Sequence, residues 1–290
     1  WLAELYARWF KKPGYLNNVY GSIETDAWRR DFSANALYYD VIKQEIVDFT
    51  GGYADIKQKK LRMIGSPLVR FRQDPVRILR AIRFIAKTQF TIDDKLKNAI
   101  RIMATSLEST SADRLLLEVV KLFYHGHGKQ SLLLLDKYQL LEVLYPGYKK
   151  MRNSKKDYMA FLRIALTSSD KRFKDGQNLS TAFLLAVILW PIVENNLPRK
   201  MYRLKLYDFI KCIKKTFREQ SEVVAVTKKL QEIILDIWIL QYHMQCSSSS
   251  KTKDLHEHPR ARAAYDFLTL RAQVDESLAN TTLKWHNIIS

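Results

Sequence analysis

From Pro75 onward, apolar residues recur at helical spacing with few interruptions. Segments 75–88, 93–104, 111–124, 129–141, 155–167, 178–194, 202–217, 220–244 and 259–276 each place them on one arc, which predicts a helix in each. Gly126, Gly128, Pro146-Gly147 and Gly176 punctuate this array. Before Pro75 the pattern differs. Ala36–Val41 (ALYYDV) and Ile46–Phe49 (IVDF) read as two short strands joined in a hairpin, and Leu61–Gly65 (LRMIG) as a third. Gly51-Gly52 breaks the chain between them, and Pro13-Gly14 and Asn17-Asn18 end a short amphipathic stretch at the front. The expected fold class is mainly α, a small α+β segment followed by a long helical array. Boundaries are expected near 66 and 130, dividing the chain into 1–66, 67–130 and 131–290.

The longest apolar run, Ala182–Val193, contains Pro191. It is too short for a membrane span, which needs about 20 residues, and reads as a buried core helix. Cys212 and Cys246 are the only cysteines, with no CxxC pairing. That argues against a disulfide framework or a structural zinc site and fits the cytoplasm. Formal net charge is +18 over 290 residues. Such a surface attracts polyanions, since each phosphate contact releases condensed counterions. Nucleic acid is the favoured partner.

Gln73–Lys87 (QDPVRILRAIRFIAK) carries the most specific chemistry. Asp74 reads as an N-cap, with Pro75 at the first helical position. Ile78, Leu79, Ile82, Ile85 and Ala86 fall on one arc; Arg77, Arg80 and Arg83 fall on roughly the opposite one. Three arginines alone would be an ordinary solvated face. Asp74 one turn from Arg77 changes the reading, because a carboxylate acceptor beside a guanidinium donor complements the amino and ring-nitrogen edge of adenine or cytosine. Arg80 and Arg83 then have the forked donors that suit triphosphate oxygens.

Three blocks in order resemble one family. RRDFSANAL at 29–37 is similar to the RRDFTxNAL motif of class II nucleotidyltransferases, DFTGGYADIKQKKLRMIG at 48–65 to the segment after it, and QDPVRILRAIRF at 73–84 to EDPxRxLRAxRF. That family comprises bacterial poly(A) polymerases and CCA-adding enzymes. DIWILQYHM at 236–244, LHEHPRARAAYDFLTLRAQV at 255–274 and LKWH at 283–286 resemble the poly(A) polymerase tail. The resemblance implies a remnant of a nucleotidyltransferase palm, a helical neck and a helical body. It implies AMP transfer from ATP to RNA 3′ ends with a magnesium pair, and the alternatives are CCA addition to tRNA or a non-catalytic RNA-binding fragment.

By the same resemblance Arg30 contacts the nucleotide, Asn35 the ribose side, and Asp31 is a third active-site carboxylate and possible metal contributor. Asp74, Arg77, Arg80 and Arg83 read the base and hold the triphosphate. Gln73 replaces the family's glutamate and Ser33 its threonine. The glycine-rich turn and Asp-x-Asp strand that bind both metals in the family are not found in the sequence. The expectation is a truncated head, completed by a separate head polypeptide if the gene is split.

Basic clusters at Lys57-Lys59-Lys60-Arg62, Lys149-Lys150-Arg152-Lys155-Lys156, Arg199-Lys200-Arg203-Lys205 and Lys211-Lys214-Lys215-Arg218 interleave with tyrosines. Together they predict an RNA track, with Lys57, Lys59, Lys60, Lys149, Lys150 and Arg152 as its leading candidates. His125-Gly-His127 and His256-Glu-His258 have no third ligand at sensible spacing and read as surface or capping histidines.

Overall fold

A computed structural model describes residues 21–151, 157–198, 200–246 and 255–289. The turn signals at 13–18 and the residues Arg152, Lys155, Lys156 and Arg199 lie outside the described residues. The chain divides into two compact units, one ending at Ile64 and the other beginning at Gly65.

In the first unit, helix α1 (Ile23–Arg29) starts at Ser22, whose hydroxyl accepts from Thr25 N at 3.2 Å. Strands β1 (Leu37–Asp40) and β2 (Glu45–Asp48) form the expected hairpin, antiparallel, with Leu37 opposite Asp48. Helix α2 (Gly52–Lys57) follows directly where the glycine pair suggested only a break. The third strand is shorter than expected: β3 covers Lys60–Leu61, and Met63 makes a single bridge with Phe32.

Asp48 creates α2. Its carboxylate accepts from the backbone N–H of Thr50, Gly51, Gly52 and Tyr53 at 2.9–3.0 Å, satisfying donors that a helix start leaves open. Burial pushes its pKa up, but the four donors outweigh burial and hold it below the ordinary carboxylate range. Its contribution to stability is therefore present above the unfolded carboxylate pKa and is lost as pH falls through the lowered folded value. Asp48→Ala is expected to cost about 2 kcal/mol, as for other lost caps. Thermal unfolding near neutral pH measures that loss, and the gap between variant and parent should narrow in acid.

The second unit is mainly helical. Helices α3 (Pro67–Gln73), α4 (Arg77–Thr88), α5 (Asp94–Ile102), α6 (Ala112–Tyr124) and α7 (Gly128–Lys137) lead into α8 (Leu140–Leu144) and α9 (Pro146–Met151). Then come α10 (Tyr158–Lys174), α11 (Thr181–Asn196), α12 (Leu206–Ser221), α13 (Lys228–Cys246), α14 (Ala261–Ala272) and α15 (Ala279–Ile289). The run at Ala182–Val193 is buried inside α11 apart from Phe183, as a core helix. No helix among the described residues is long and apolar enough to cross a membrane.

Three helix expectations are corrected. The segment 129–141 breaks at Gln139, whose φ of +59° ends α7 before α8 begins. The segment 220–244 is two helices. Its apolar spacing runs on through Glu222–Thr227, but Val223, Val224, Val226 and Thr227 are β-branched, and Ala225 N donates to the carbonyl of Ala112 at 3.1 Å instead of continuing the helix. The third correction concerns Asp74 and is described with the site.

α11, α13 and α14 pack together, with α12 against α13 and α15 against α14. Two buried polar side chains of this body bond to backbone: Trp285 Nε1 donates to Met244 O at 3.0 Å and Gln220 Nε2 to Leu144 O at 2.8 Å. Arg271 is almost fully buried, lies 4.4 Å over the Trp190 ring and donates to Gln241 Oε1 at 3.1 Å. Desolvation lowers its pKa to about 10, so it remains a cation near neutral pH.

Candidate functional site

The first set of predicted residues clusters in the turn after α1. Arg30 closes that helix in extended backbone, and its guanidinium pairs with Asp26 at 2.9 Å and lies over Tyr38 at 5.8 Å. Tyr38 also donates to Asp26, at 2.6 Å. These two hydrogen bonds, Tyr38's first, hold the Asp26 carboxyl below its ordinary range. Arg30 is thus aimed by a carboxylate while its side chain stays about half exposed, at 47%.

Asp31 is buried, and its carbonyl accepts from Ile64 N at 3.0 Å. Asn35 ends a 3-10 turn and accepts from Phe32 N at 3.3 Å, which fixes its amide. Between them, Ser33 is fully buried. Its hydroxyl donates to Asp55, which pairs with Arg62 at 2.8 Å, while Arg62 also donates to the carbonyl of Thr50. Replacement of threonine by serine in this motif keeps the group that ties the turn to α2. Gly52 is required by the same contact, since a Cβ there would stand 2.1 Å from the Ser33 carbonyl oxygen. Neither Asp55 nor the cluster member Arg62 was singled out for this role in the sequence, because their partners lie 22 and 12 positions away.

In the second unit the expected helix start at Pro75 moves to Arg77. Asp74 takes extended backbone (φ −151°, ψ 97°), as a residue before proline does. Arg77 N and Ile78 N then bond back to the carbonyls of Asp74 and Pro75 at 3.2 and 2.9 Å, a tightened turn before the regular helix. The Asp74 carboxylate still accepts from Val76 N, at 3.3 Å, but its strong partner is Arg114 of α6 at 2.7 Å. Arg114 is a partner of Asp74 that sequence reading missed.

Arg77, Arg80 and Arg83 line one side of α4 and all three are half-buried, while Ile78, Leu79, Ile82, Ile85 and Ala86 are buried on the other. Arg77 donates to the carbonyl of Arg70 at 3.0 Å. Arg83 faces Glu118 of α6 at 3.8 Å, and Glu118 also binds Lys121 at 2.7 Å. The row is therefore braced by α3 and α6 and does not hang in bulk water. Successive members rise by about 4.5 Å along the axis, three residues each, as a ladder of forked donors.

Of the lysines, Lys57 lies 4.5 Å over the Tyr53 ring and Lys59 has left-handed backbone. Lys149 and Lys150 end α9, and Lys150 reaches Glu219 of α12 at 3.4 Å. The histidines play local parts: His258 Nδ1 accepts from Arg260 N at 3.0 Å, and His127 precedes α7, whose first N–H groups are capped by Asp170 at 2.7 and 3.0 Å. Burial lowers the pKa of both His125 and His127, and nearby Arg83 and Lys87 add to it at His125. Among the described residues no group of three or more His, Cys, Asp or Glu side chains converges as a metal site. The described residues alone do not compose the two-magnesium site that the resemblance implies.

A short mixed head and a long helical body with a half-buried arginine ladder define a nucleotidyltransferase class of fold. The CCA-adding enzyme of Bacillus stearothermophilus, solved in complex with CTP, superposes with a TM-score of 0.59 at 21% identity, over 92% of this chain and 59% of that one. Three family models then match in chain order: the poly A polymerase head domain over 6–62, the probable RNA and SrmB-binding site of polymerase A over 89–151, and the polymerase A arginine-rich C-terminus over 206–290. Poly(A) polymerase I of Escherichia coli O6:H1 is 35% identical over 277 residues, 93% of this chain. The CCA-adding enzyme of Bacillus subtilis is 32% identical over 162 residues, 56% of this chain and 40% of its own length. The chain belongs to the poly(A) polymerase family. It spans 59% of the length of the E. coli relative.

Proposed function

We propose that this chain carries the nucleotide-reading and RNA-holding part of a template-independent adenylyltransferase, which adds AMP from ATP to RNA 3′ ends. One observation carries the reading: a carboxylate and three arginines of α4 share one half-buried ladder that its neighbouring helices brace. In the proposed complex Asp74 accepts from the adenine amino group while Arg77 donates to the ring nitrogen. Arg80 and Arg83 hold the triphosphate, so that the RNA 3′-oxygen displaces pyrophosphate from the α-phosphorus. Arg30 and Asn35 serve the phosphate and ribose sides, with Asp31 as an active-site carboxylate. Lys57, Lys59, Lys60, Lys149 and Lys150 meet the RNA backbone. The residues to 66 serve as head, those to 130 as nucleotide-binding neck, and the remainder as RNA-binding body. Magnesium belongs to the reaction of this class.

The test is incorporation of radiolabelled AMP into an RNA primer, alongside ATP binding by the chain. ATP alone should yield an adenylate ladder when the head is complete, and the chain itself should bind ATP ahead of GTP and UTP. Likeness to CCA-adding structures and sequences supports a second reading. In that case extension needs both CTP and ATP and stops on a tRNA lacking its terminal nucleotides.

A further inference from the structure

Helix α12 presents the Lys211, Lys214, Lys215 and Arg218 cluster as one cationic stripe. Phe209, Ile213, Thr216, Phe217 and Gln220 are buried against the body. The opposite side exposes Tyr207, Lys211, Lys214, Lys215 and Arg218, at i, i+4, i+7, i+8 and i+11. With Arg203 and Lys205 from the approach to the helix, they line an open groove of about 1080 Å³ in which Asp208 is the lone carboxylate among the described residues.

Like charges at i+3 and i+4 on a helix repel, and an ordinary solvated face intersperses acids to offset this. Along this stripe the helix supplies Glu219, 3.8 Å from Lys215. Glu219 is shared with Lys150 of α9, so the stripe runs into the Lys149–Lys150 pair as one positive surface. Such a concentration of one sign costs stability and is retained where a polyanion neutralises it.

We propose that this groove is a track for single-stranded RNA, outside the segment 89–151 matched by the RNA-binding family model. Mobile ammonium groups suit a sugar–phosphate backbone of variable geometry better than a fixed fork does. Tyr207, 74% exposed at the groove, offers a face on which a base stacks. The proposal rests on the RNA half of the function proposed above and is independent of its ATP half.

Binding of a fluorescent oligoadenylate of about 20 nucleotides, long enough to occupy an extended groove, is followed by anisotropy over a salt series. Lys211→Glu/Lys214→Glu/Lys215→Glu should weaken binding at least about tenfold at moderate salt and flatten the slope of log K against log salt by about 2. The milder Lys→Gln triple should do the same to a smaller degree. A charge-matched control, Lys171→Glu/Lys174→Glu/Lys228→Glu, exposed elsewhere, should lose much less. Tyr207→Ala should weaken binding with the slope unchanged. An α12 triple that tracks the control or the parent overturns the proposal. ATP affinity, read on the same proteins, should be unchanged; its absence in the parent would overturn the adenylyltransferase reading while leaving the track intact.

Discussion

Arg80→Ala combined with Arg83→Ala is expected to weaken ATP binding by a hundredfold or more while leaving adenosine binding nearly unchanged. Each forked, charge-assisted contact to a phosphate contributes about 1.5–3 kcal/mol, so losing two exceeds a factor of one hundred even at the lowest value. Adenosine has no phosphates, and a ladder that holds only the triphosphate should not touch its affinity. Folding is spared because Ile78, Leu79 and Ile82 carry the packing of α4, and Glu118, deprived of Arg83, keeps Lys121 at 2.7 Å. Arg80→Lys should fall between, since it retains the charge and loses the fork. Calorimetric titration of parent and variants measures all of this. Equal ATP affinity in the double variant would remove the ladder from the site.

That ladder was legible because its information is local. Arg77, Arg80 and Arg83 recur at the helix period, and Ile78, Leu79 and Ile82 fix which side faces inward. The hairpin was legible for the same reason, with β-prone text on both sides of a short polar link. Arg114 was not, since ADRLLLEVVK is an ordinary amphipathic helix in sequence. Its meaning comes from packing α6 on α4, which brings it to Asp74 from 40 positions away. The Ser33–Asp55–Arg62 network was hidden likewise. Helix boundaries failed where periodicity outlived the helix. At Glu222–Thr227 the apolar spacing persists while the backbone leaves to meet Ala112, and at Gln139 one left-handed residue separates two helices that share an apolar face. Pro75 misled in a smaller way: proline fixed the entry direction, and the residue before it was forced extended, so the regular helix began two residues on.

Asp74→Asn should abolish most of the preference for ATP over GTP. Adenine offers an amino donor at the edge where guanine offers a carbonyl. The Asp74 carboxylate, with one oxygen accepting from Val76 N and the other from Arg114, retains lone pairs for that amino donor and repels a carbonyl. An amide can rotate to present either a donor or an acceptor, so discrimination of about 1–3 kcal/mol, the value of a good bidentate base contact, is lost. The ATP-to-GTP affinity ratio should then fall by roughly five- to 150-fold, chiefly by gain of GTP binding. Arg114→Ala should lower the ratio less, because Arg114 orients the carboxylate without touching the base. Adding Arg114→Ala to Asp74→Asn should change the ratio little further, which is the signature of two residues acting through one contact. A ratio that survives Asp74→Asn in a folded protein would move base selection off α4 altogether.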